Sequence, residues 1–271
     1  MRAGRIDRVM VRRISPAGGT GAGVSGPDEV VVEEPLEIRL GGTLVTTTMR
    51  TPGNDFELAV GFCAGEGLLD GAEVRGVRYC ATGSAVETEF NVVTVDAAGG
   101  SREPVARLTT TTSSCGLCGS EAIDRLSSRL RPLDGAPRPI PAAAVRAVGA
   151  GAPAHQPLFA RTGSVHAAVA FSLADGEVVV AREDIGRHNA VDKVVGRLLL
   201  DGELPAAELG LFLSGRVSLE MVQKAWAAGF PAVVAVGGPS SLAVATARAA
   251  NITLVAFARG DAMTVYAGEV A

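Results

Sequence analysis

The sequence predicts an α/β protein in which a three-layer domain follows a smaller α+β domain. Between residues 209 and 257, short continuous apolar runs alternate with helical patterns. Apolar strands of this kind, set between helices, are typical of a sheet covered on both faces. Upstream, between residues 28 and 95, strand-like runs surround a single helical pattern. We expect a flexible segment over residues 1–27, the α+β domain over 28–112 and the three-layer domain over 113–271.

Composition and charge narrow the class of protein. With 271 residues and 47% hydrophobic side chains, the chain can bury a large core. Its formal charge of −4 argues against a general nucleic-acid binder, which usually carries a basic excess. Charges run through the N-terminus and no 18-residue apolar run occurs, so neither a secretory signal nor a membrane span is predicted. The four cysteines need no disulfide framework in so apolar a chain. We expect a cytoplasmic protein with reduced thiols.

The first elements are mostly strands. Residues 15–27 are rich in Gly, Ala, Ser and Pro, so regular structure is expected to start near Asp28. The predicted strands cover 30–32, 36–40, 44–49 and 87–95. Gly41-Gly42 falls between the second and third strands and is the signal of a two-residue hairpin.

One helix is predicted in the first half. Asn54 is placed to cap it, and its apolar pattern runs to Gly65. This helix would bury Cys63 in its apolar face. Cys63 and Cys80 therefore read as ordinary packed cysteines.

The second half begins with a proline-rich connector over 134–157, with one short helix at 142–148. A hairpin is predicted next, with strands at 165–171 and 178–180 around Ala174-Asp175-Gly176. The alternation that follows gives helices at 188–200, 218–228 and 241–250, and strands at 209–213, 232–236 and 253–257.

Two cysteines two residues apart, Cys115 and Cys118, are the most chemically suggestive feature. They lie in a run of small polar and glycine residues from Thr109 to Ser120, which offers little apolar area to a core. A short helix is predicted over 121–130, so the thiols would sit at or just before its N-terminus. Unpaired N–H groups there stabilise an anion, which lowers a thiol pKa and favours the nucleophilic thiolate.

Spacing alone leaves three kinds of site open for this pair. A structural zinc site needs four ligands, and only two other cysteines and three histidines remain, none at paired spacing. Separately from these three, His166 could suggest a zinc-deaminase site, but that site needs a glutamate two residues later, where Ala168 stands, and a later Pro-Cys-x-x-Cys, which does not follow. A thioredoxin-like dithiol needs the motif early in a βαβ unit, which the Thr/Ser-rich lead-in does not resemble. A nucleophilic cysteine that carries a group, with a helper thiol beside it, fits the surroundings best.

Three turns that follow predicted strands could bind an anion. They are Ser214–Arg216, Gly237–Ser241 and Phe257–Ala262. In open α/β sheets, ligands bind beyond the carboxyl ends of the strands, where helix N-termini point. Gly237 would let the backbone approach a phosphate, and Arg216 and Arg259 could pair with its oxygens. Ordinary turns use the same residues, so the signal suggests a nucleotide or phosphate without specifying one.

A dense polar block over residues 182–193 lies between two apolar segments. Such a run is usually a solvated face. Here His188 adds an imidazole that titrates near neutral pH, and Asn189 adds amide hydrogen bonding. These two side chains favour a network or a binding loop.

Six stretches in one order resemble the FdhD/NarQ family, the formate dehydrogenase accessory sulfurtransferases. They are Met49–Gly53 with Gly65–Gly67, Ser113–Gly119, Thr162-Gly163 with His166–Ala168, Arg182–Ala190 with Asp192-Lys193, Ser214–Arg216, and Phe257–Gly260. The Cys-x-x-Cys loop and the Arg-Glu-Asp-x-Gly-Arg-His-Asn-Ala block are the most specific. The stretches span most of residues 30–266, and the N-terminal tail lies outside the resemblance.

The resemblance implies a fold, a function and partners. Members of the family have a C-terminal domain similar to cytidine deaminase but without zinc, and they are typically homodimers. They accept persulfide sulfur from a cysteine desulfurase. They pass it to the molybdenum cofactor, as bis molybdopterin guanine dinucleotide, before this cofactor enters formate dehydrogenase. Two other hypotheses are a non-catalytic cofactor-binding chaperone and a zinc hydrolase.

The resemblance also implies roles for particular residues. Cys115 is expected to carry the persulfide, and Cys118 to assist. The family's cofactor contacts correspond to Phe257, Ala258, Arg259, Gly260, Asp261 and Ala262. Arg216, Gly237 and His188 are the further residues expected to bind the cofactor and its guanine nucleotide moiety. No metal ligands, no nucleic-acid partner and no membrane contact are expected.

Overall fold

The computed structural model describes residues 4–14, 23–80, 84–98, 131–134 and 139–271. Within these ranges the chain forms three β-sheets together with helices, so the predicted α/β class is confirmed. Cys115, Cys118 and the helix expected over 121–130 lie outside the described residues. In the described part, no helix is both long and apolar enough to cross a membrane.

The chain begins with an antiparallel hairpin of β1 (Ile6–Arg13) and β2 (Val24–Val31). The expectation of a flexible segment over 1–27, with regular structure starting near Asp28, is therefore wrong for the described residues. A bidentate ion pair joins the hairpin to the rest of the molecule, because Arg161 Nε and Nη2 lie 2.7 and 2.8 Å from the Glu29 carboxylate. The two residues are 132 positions apart, so local composition could not indicate this anchor.

A four-stranded sheet follows, with the order β4-β3-β6-β5. Its strands are β3 (Glu34–Leu40), β4 (Thr43–Arg50), β5 (Val74–Tyr79) and β6 (Val92–Ala97). Gly41 and Gly42 make the predicted two-residue hairpin, with φ angles of 56° and 89° that few other residues tolerate. The strand predicted over 87–95 starts only at Val92, because residues 85–90 form turns. Strand β5 was not predicted.

Helix α1 (Asp55–Gly65) packs on this sheet. Cys63 is fully buried in the shared apolar cluster, as predicted. Asn54 precedes the helix but makes no side-chain cap hydrogen bond, and its backbone is left-handed. The helix is therefore confirmed, whereas the predicted side-chain cap is wrong.

Two helices lead into the C-terminal sheet: α2 (Ala142–Gly151) and, after a 3-10 turn at Ala152–His155, the short α3 (Pro157–Thr162). The six strands of the sheet are β7 (His166–Ser172), β8 (Val178–Asp184), β9 (Leu209–Leu213), β10 (Ala232–Ala235), β11 (Thr253–Arg259) and β12 (Ala262–Ala267). The order is β12-β11-β10-β9-β7-β8.

The C-terminal sheet is mixed. Strands β9, β10 and β11 run parallel, whereas β7 is antiparallel to β9 and β12 is antiparallel to β11. The amino end of β7 therefore lies beside the carboxyl end of β9. The sequence suggested that the turn at Phe257–Ala262 leads from a strand into a helix. In the structure these residues form the β11–β12 hairpin instead. The reason is that Gly260, with φ 56°, reverses the chain at once.

Alternate residues of the parallel strands face opposite sides of the sheet. Leu211 and Leu213 enter an apolar cluster with three helices, whereas Phe212 enters a second cluster with α2. The three helices are α4 (Arg187–Leu200), α5 (Leu219–Ala227) and α6 (Ser241–Ala249). Helices thus cover both faces. The cytidine-deaminase-like layering and the division at residues 112 and 113 remain predictions.

Helices α1 and α4 cross at two glycines. A Cβ atom added to Gly61 would lie 2.7 Å from the Gly196 nitrogen, and one added to Gly196 would lie 2.8 Å from the Gly61 nitrogen. Such distances are shorter than real Cβ atoms show, so only glycine lets the two backbones approach this closely.

Buried ion pairs flank this crossing. Lys193 Nζ lies 2.7 Å from Asp184 Oδ2, and Lys224 Nζ lies 2.6 Å from Asp192 Oδ1. The Thr51 amide donates to Asp184, 133 positions away. The polar block over 182–193 is therefore largely a buried network, and it fixes the start of α4 against the N-terminal sheet.

Candidate functional site

A cavity of about 240 Å³ lies at the carboxyl end of the parallel strands. It is lined by Arg187, Arg216, Val217, Ser218, Gly238, Pro239 and Ser240. Helices α4, α5 and α6 all begin at residues that line it or directly follow a lining residue. Their N-termini supply unpaired N–H groups and the positive ends of helix dipoles.

Two guanidinium groups reach this cavity, those of Arg187 and Arg216. Within the described residues, the buried Nε of Arg187 has no hydrogen-bond partner. An unsatisfied buried donor is costly, and a bound acceptor would satisfy it. The cavity is therefore suited to an anionic oxygen ligand such as a phosphate, which Arg can bind in bidentate fashion.

Gly237 and Gly238 have packing reasons to be glycine. A Cβ atom at Gly237 would lie 2.8 Å from the Gly215 carbonyl oxygen, and one at Gly238 would lie 2.7 Å from the Phe257 ring. The two glycines hold the loops together at the strand ends. Gly238 lines the cavity, whereas Gly237 packs behind it against the Gly215 backbone.

Two histidines flank the strand ends. His188, in the first turn of α4, has its Nε2 atom 3.9 Å from Oε2 of Glu220 in α5. This imidazole lowers the pKa of Glu220 to about 2. His166 begins β7 and is half-buried. Burial, followed by the charges of Arg187 and Arg216, lowers the pKa of His166 below its ordinary 6.5. The lower pKa keeps His166 neutral at neutral pH.

The residues of the Phe257–Ala262 stretch differ in how accessible their side chains are to a ligand. Phe257 has a left-handed backbone with φ 53°; the residue is 47% exposed, and its ring lies beside Gly238. Such a backbone is strained for an aromatic residue and often marks a functional position. Ala258 is buried in the core between sheet and α2, so its side chain is unavailable to a ligand. Arg259, Gly260, Asp261 and Ala262 are exposed in the hairpin turn.

A second cavity, of about 470 Å³, lies on the other side of the same strand ends. Its lining residues include Gln156, Phe159, Ser164, His166, Phe212 and Val236. The two cavities are separated by the loops that follow β9 and β10, since Ser214 lines one and Arg216 lines the other.

Glu183 fixes the wall of the second cavity. Its buried carboxylate accepts hydrogen bonds from the Leu158 and Phe159 amides, at 2.9 and 2.8 Å. Charge-assisted hydrogen bonds of this kind are among the stronger ones in proteins. Strand β8 thereby holds α3 in place.

The sequence-predicted site residues separate into groups. Arg216, Gly237, Phe257 and His188 lie around the strand ends. Cys115 and Cys118 lie outside the described residues. In the part of the chain that is described, no group of three or more His, Cys, Asp or Glu residues could hold a metal ion. Cys63 is buried, and burial is the main reason that its pKa is raised to about 12.

Three residues that the sequence reasoning did not select also line the cavities. Arg187 belongs to the polar block, so its position one residue before His188 could have indicated it. Gln156 and Phe159 fall at the end of the proline-rich connector. The hydrogen bonds from the Leu158 and Phe159 amides to Glu183 hold this segment at the strand ends, and no local pattern reveals these bonds.

Comparison with known proteins agrees on one family. The family model of the FdhD/NarQ family matches residues 31–270. A protein of Mycolicibacterium paratuberculosis named Sulfur carrier protein FdhD is 47% identical over 253 residues, covering 91% of this chain and 92% of the relative. A protein of the same name from Streptomyces coelicolor is 47% identical, and the match covers 92% of this chain and 90% of the relative. A solved structure from Desulfotalea psychrophila, described as a formate dehydrogenase accessory protein, is similar with a TM-score of 0.73 and 26% identity, covering 97% of both chains.

Proposed function

Because the chain belongs to the FdhD/NarQ family, we propose that it is a sulfurtransferase that carries sulfur as a persulfide on Cys115. The main support is the Cys115-Gly-Leu-Cys118 motif in a chain that is 47% identical over 91% of its length to a named sulfur carrier. The proposed donor is a cysteine desulfurase. The proposed acceptor is the molybdenum cofactor in its bis molybdopterin guanine dinucleotide form, on its way to formate dehydrogenase. The protein would act in the cytoplasm as a homodimer.

The loading step is a persulfide exchange. The Cys115 thiolate attacks the outer sulfur of the donor persulfide, a new S–S bond forms on Cys115, and the donor cysteine leaves as a thiolate. Cys118 assists release. Its thiolate attacks the Cys115 sulfur, the outer sulfur departs as hydrosulfide to the metal, and the two cysteines become a disulfide. A cellular thiol then reduces this disulfide.

The cavity at the strand ends supports the cofactor as substrate. A dinucleotide carries phosphates, and the Arg187 and Arg216 guanidiniums together with helix N-termini suit them. We assign Arg216, His188 and Phe257 to binding at this cavity, together with the exposed residues of the β11–β12 turn. Gly237 and Ala258 would contribute indirectly. Gly237 lets the loops at the strand ends pack closely, and Ala258 packs in the core beneath them.

The test is mass spectrometry after incubation with a cysteine desulfurase and cysteine. We expect an adduct of one sulfur atom on the wild type, lost in Cys115→Ala and retained in Cys80→Ala. Cys80 is a suitable control because it is half-buried and lies outside the motif. Cys63 provides an internal reference, since a thiol with a pKa near 12 stays protonated and unloaded. A wild type that takes up no sulfur would refute the proposal.

The alternative, a cofactor-binding chaperone without sulfur chemistry, gives a different result in cells. Cys115→Ala would then leave formate dehydrogenase active. Under our proposal the same variant abolishes that activity, whereas Cys80→Ala keeps it.

A further inference from the structure

A third cavity, here termed the helix-end groove, lies away from the strand ends of the C-terminal sheet. Its volume of about 1010 Å³ is at the upper end of the range of small-molecule pockets. Apolar side chains line it, among them Leu69, Leu199 and Leu204, and Leu200 stands 44% exposed at its edge. Exposed apolar surface with a polar rim is typical of a protein–protein contact.

Three helices end at this groove. Ala64, Leu199 and Ala227, from the last turns of α1, α4 and α5, all line it. Left-handed glycines just beyond the helices stop them, with φ angles of 67°, 77° and 79° at Gly67, Gly202 and Gly229. The C-terminus of a helix carries the negative end of its dipole, so three such ends together favour a cation.

Acidic side chains give the groove the same sign. The charged residues among those that line it are Asp70, Glu73 and Asp201. Arg197 contacts Asp201 at 2.6 Å, but it is not a lining residue, and an exposed pair of this kind contributes little. The groove therefore suits a segment that carries apolar and basic side chains together.

The stretch that contains Cys115 joins the described structure beside this groove at both ends. Before it, the Ala98 amide donates to the Glu73 carbonyl oxygen at 2.8 Å. After it, the Arg131 carbonyl oxygen accepts from Trp226 Nε1 at 2.8 Å, next to the lining residue Ala227. A protein seated in the groove thus lies beside both points at which this stretch leaves the described part of the chain.

We propose that the helix-end groove docks the sulfur donor, a cysteine desulfurase, through a donor segment that carries leucine-like side chains next to lysine or arginine. The apolar side chains cover Leu199 and Leu200, and the basic ones approach Glu73 and Asp201. The inference rests on the proposed function, because only a protein donor needs a docking surface. The groove is distinct from the anion cavity: α4 has 14 residues and joins the two, so they lie about 20 Å apart.

The test is the rate at which the full chain gains one sulfur atom, measured by mass spectrometry at increasing concentrations of the desulfurase of the same organism. For Glu73→Lys/Asp201→Lys we expect the half-saturating concentration to rise at least about tenfold, with the maximal rate unchanged. Added salt should raise this concentration for the wild type and change it little for the variant. The matched control is Glu177→Lys/Glu269→Lys, the same charge change at exposed residues that line none of the three cavities.

Leu200→Gln tests the apolar part of the groove without changing charge. The side chain is 44% exposed, so burial against a partner could still supply about half of the stabilisation that a leucine provides. We expect the half-saturating concentration to rise about fivefold. If neither groove variant differs from the control, the proposed docking is wrong.

A small donor separates docking from the chemistry of Cys115. Cysteine persulfide needs no docking surface, so the groove variants should take up sulfur from it at the wild-type rate. If they lose this reaction as well, the substitutions act on Cys115 and the docking role is overturned. It is also overturned if sedimentation shows that the groove variants dissociate a wild-type dimer, because the groove then belongs to a second copy of this chain.

The two proposals fail in different ways. A wild type that accepts sulfur from the desulfurase, with groove variants that match it, removes only the docking inference. A wild type that accepts sulfur from neither donor removes the proposed sulfurtransferase and the docking with it.

Discussion

Replacing Gly61 by alanine should separate α1 from α4 and destabilise the fold. The new Cβ would lie 2.7 Å from both the Asp192 carbonyl carbon and the Gly196 nitrogen. Real Cβ atoms essentially never lie within 3.0 Å of another heavy atom in this way. The atoms it meets belong to the backbone, so no side-chain rotation relieves the clash. The two helices must instead move apart on the order of 1 Å, in an interior that is close-packed.

The size of this effect follows from the packing that is lost. Overpacking in cores costs about 1–3 kcal/mol, and a backbone clash belongs at the upper end. A loss of about 3 kcal/mol lowers the melting temperature of a chain of this size by about 6–12 °C. The buried pairs beside the crossing, such as Lys193 with Asp184, would be strained by the same movement.

The assay is thermal unfolding followed by circular dichroism, with Gly149→Ala as the matched control. Gly149 also lies within a helix, but nothing stands within 4 Å of the position that its Cβ would occupy. There alanine should be neutral or stabilise by about 0.5–1 kcal/mol through helix propensity. If Gly61→Ala melts within 2 °C of the wild type, the close crossing of α1 and α4 is refuted.

Two further predictions concern ionised side chains. Arg50→Met should cost about 3–5 kcal/mol in urea unfolding, because Arg50 is 1% exposed and its loss leaves Asp55 buried without its guanidinium. Arg197→Met, which breaks the exposed pair with Asp201, should cost less than about 1 kcal/mol, and equal costs would contradict the burial assigned to Arg50. Glu220 has a pKa lowered from 4.5 to about 2 by His188, so its contribution to stability is present above pH 4.5 and lost as the pH falls toward 2. Melting temperatures measured between about pH 5 and pH 3 should therefore fall more steeply for the wild type than for Glu220→Gln, and parallel curves would contradict the His188–Glu220 interaction.

Local patterns predicted most of the C-terminal elements. The alternation of apolar strands and helices between residues 188 and 257 is present in the structure, and every boundary lies within two residues of the predicted one. Those strands are buried on both faces, so their sequences are continuously apolar and easily recognised. The Gly41-Gly42 hairpin was equally predictable, because its positive φ angles require glycine.

The elements that sequence reasoning missed depend on distant partners. Strand β12 was not predicted, yet it pairs with β11 as a largely exposed edge strand. The β1–β2 hairpin is anchored through Glu29 to Arg161, which no local pattern indicates. In the candidate site, Arg216 and Phe257 were found from strand-end turns. Gln156 was missed because only the fold brings the end of the proline-rich connector to the strand ends.

The crossing of α1 and α4 has a consequence for synthesis on the ribosome. The hydrogen bonds that join the N-terminal sheet and its helix to the later part of the chain span 125 to 142 residues. At about 5–20 residues per second, translation needs about 6–28 s to cover that distance. Throughout this interval the glycine-lined face of α1 and the carboxylate of Glu57 have emerged without their partners. Slower translation would lengthen the exposure of this helix face, and faster translation would shorten it.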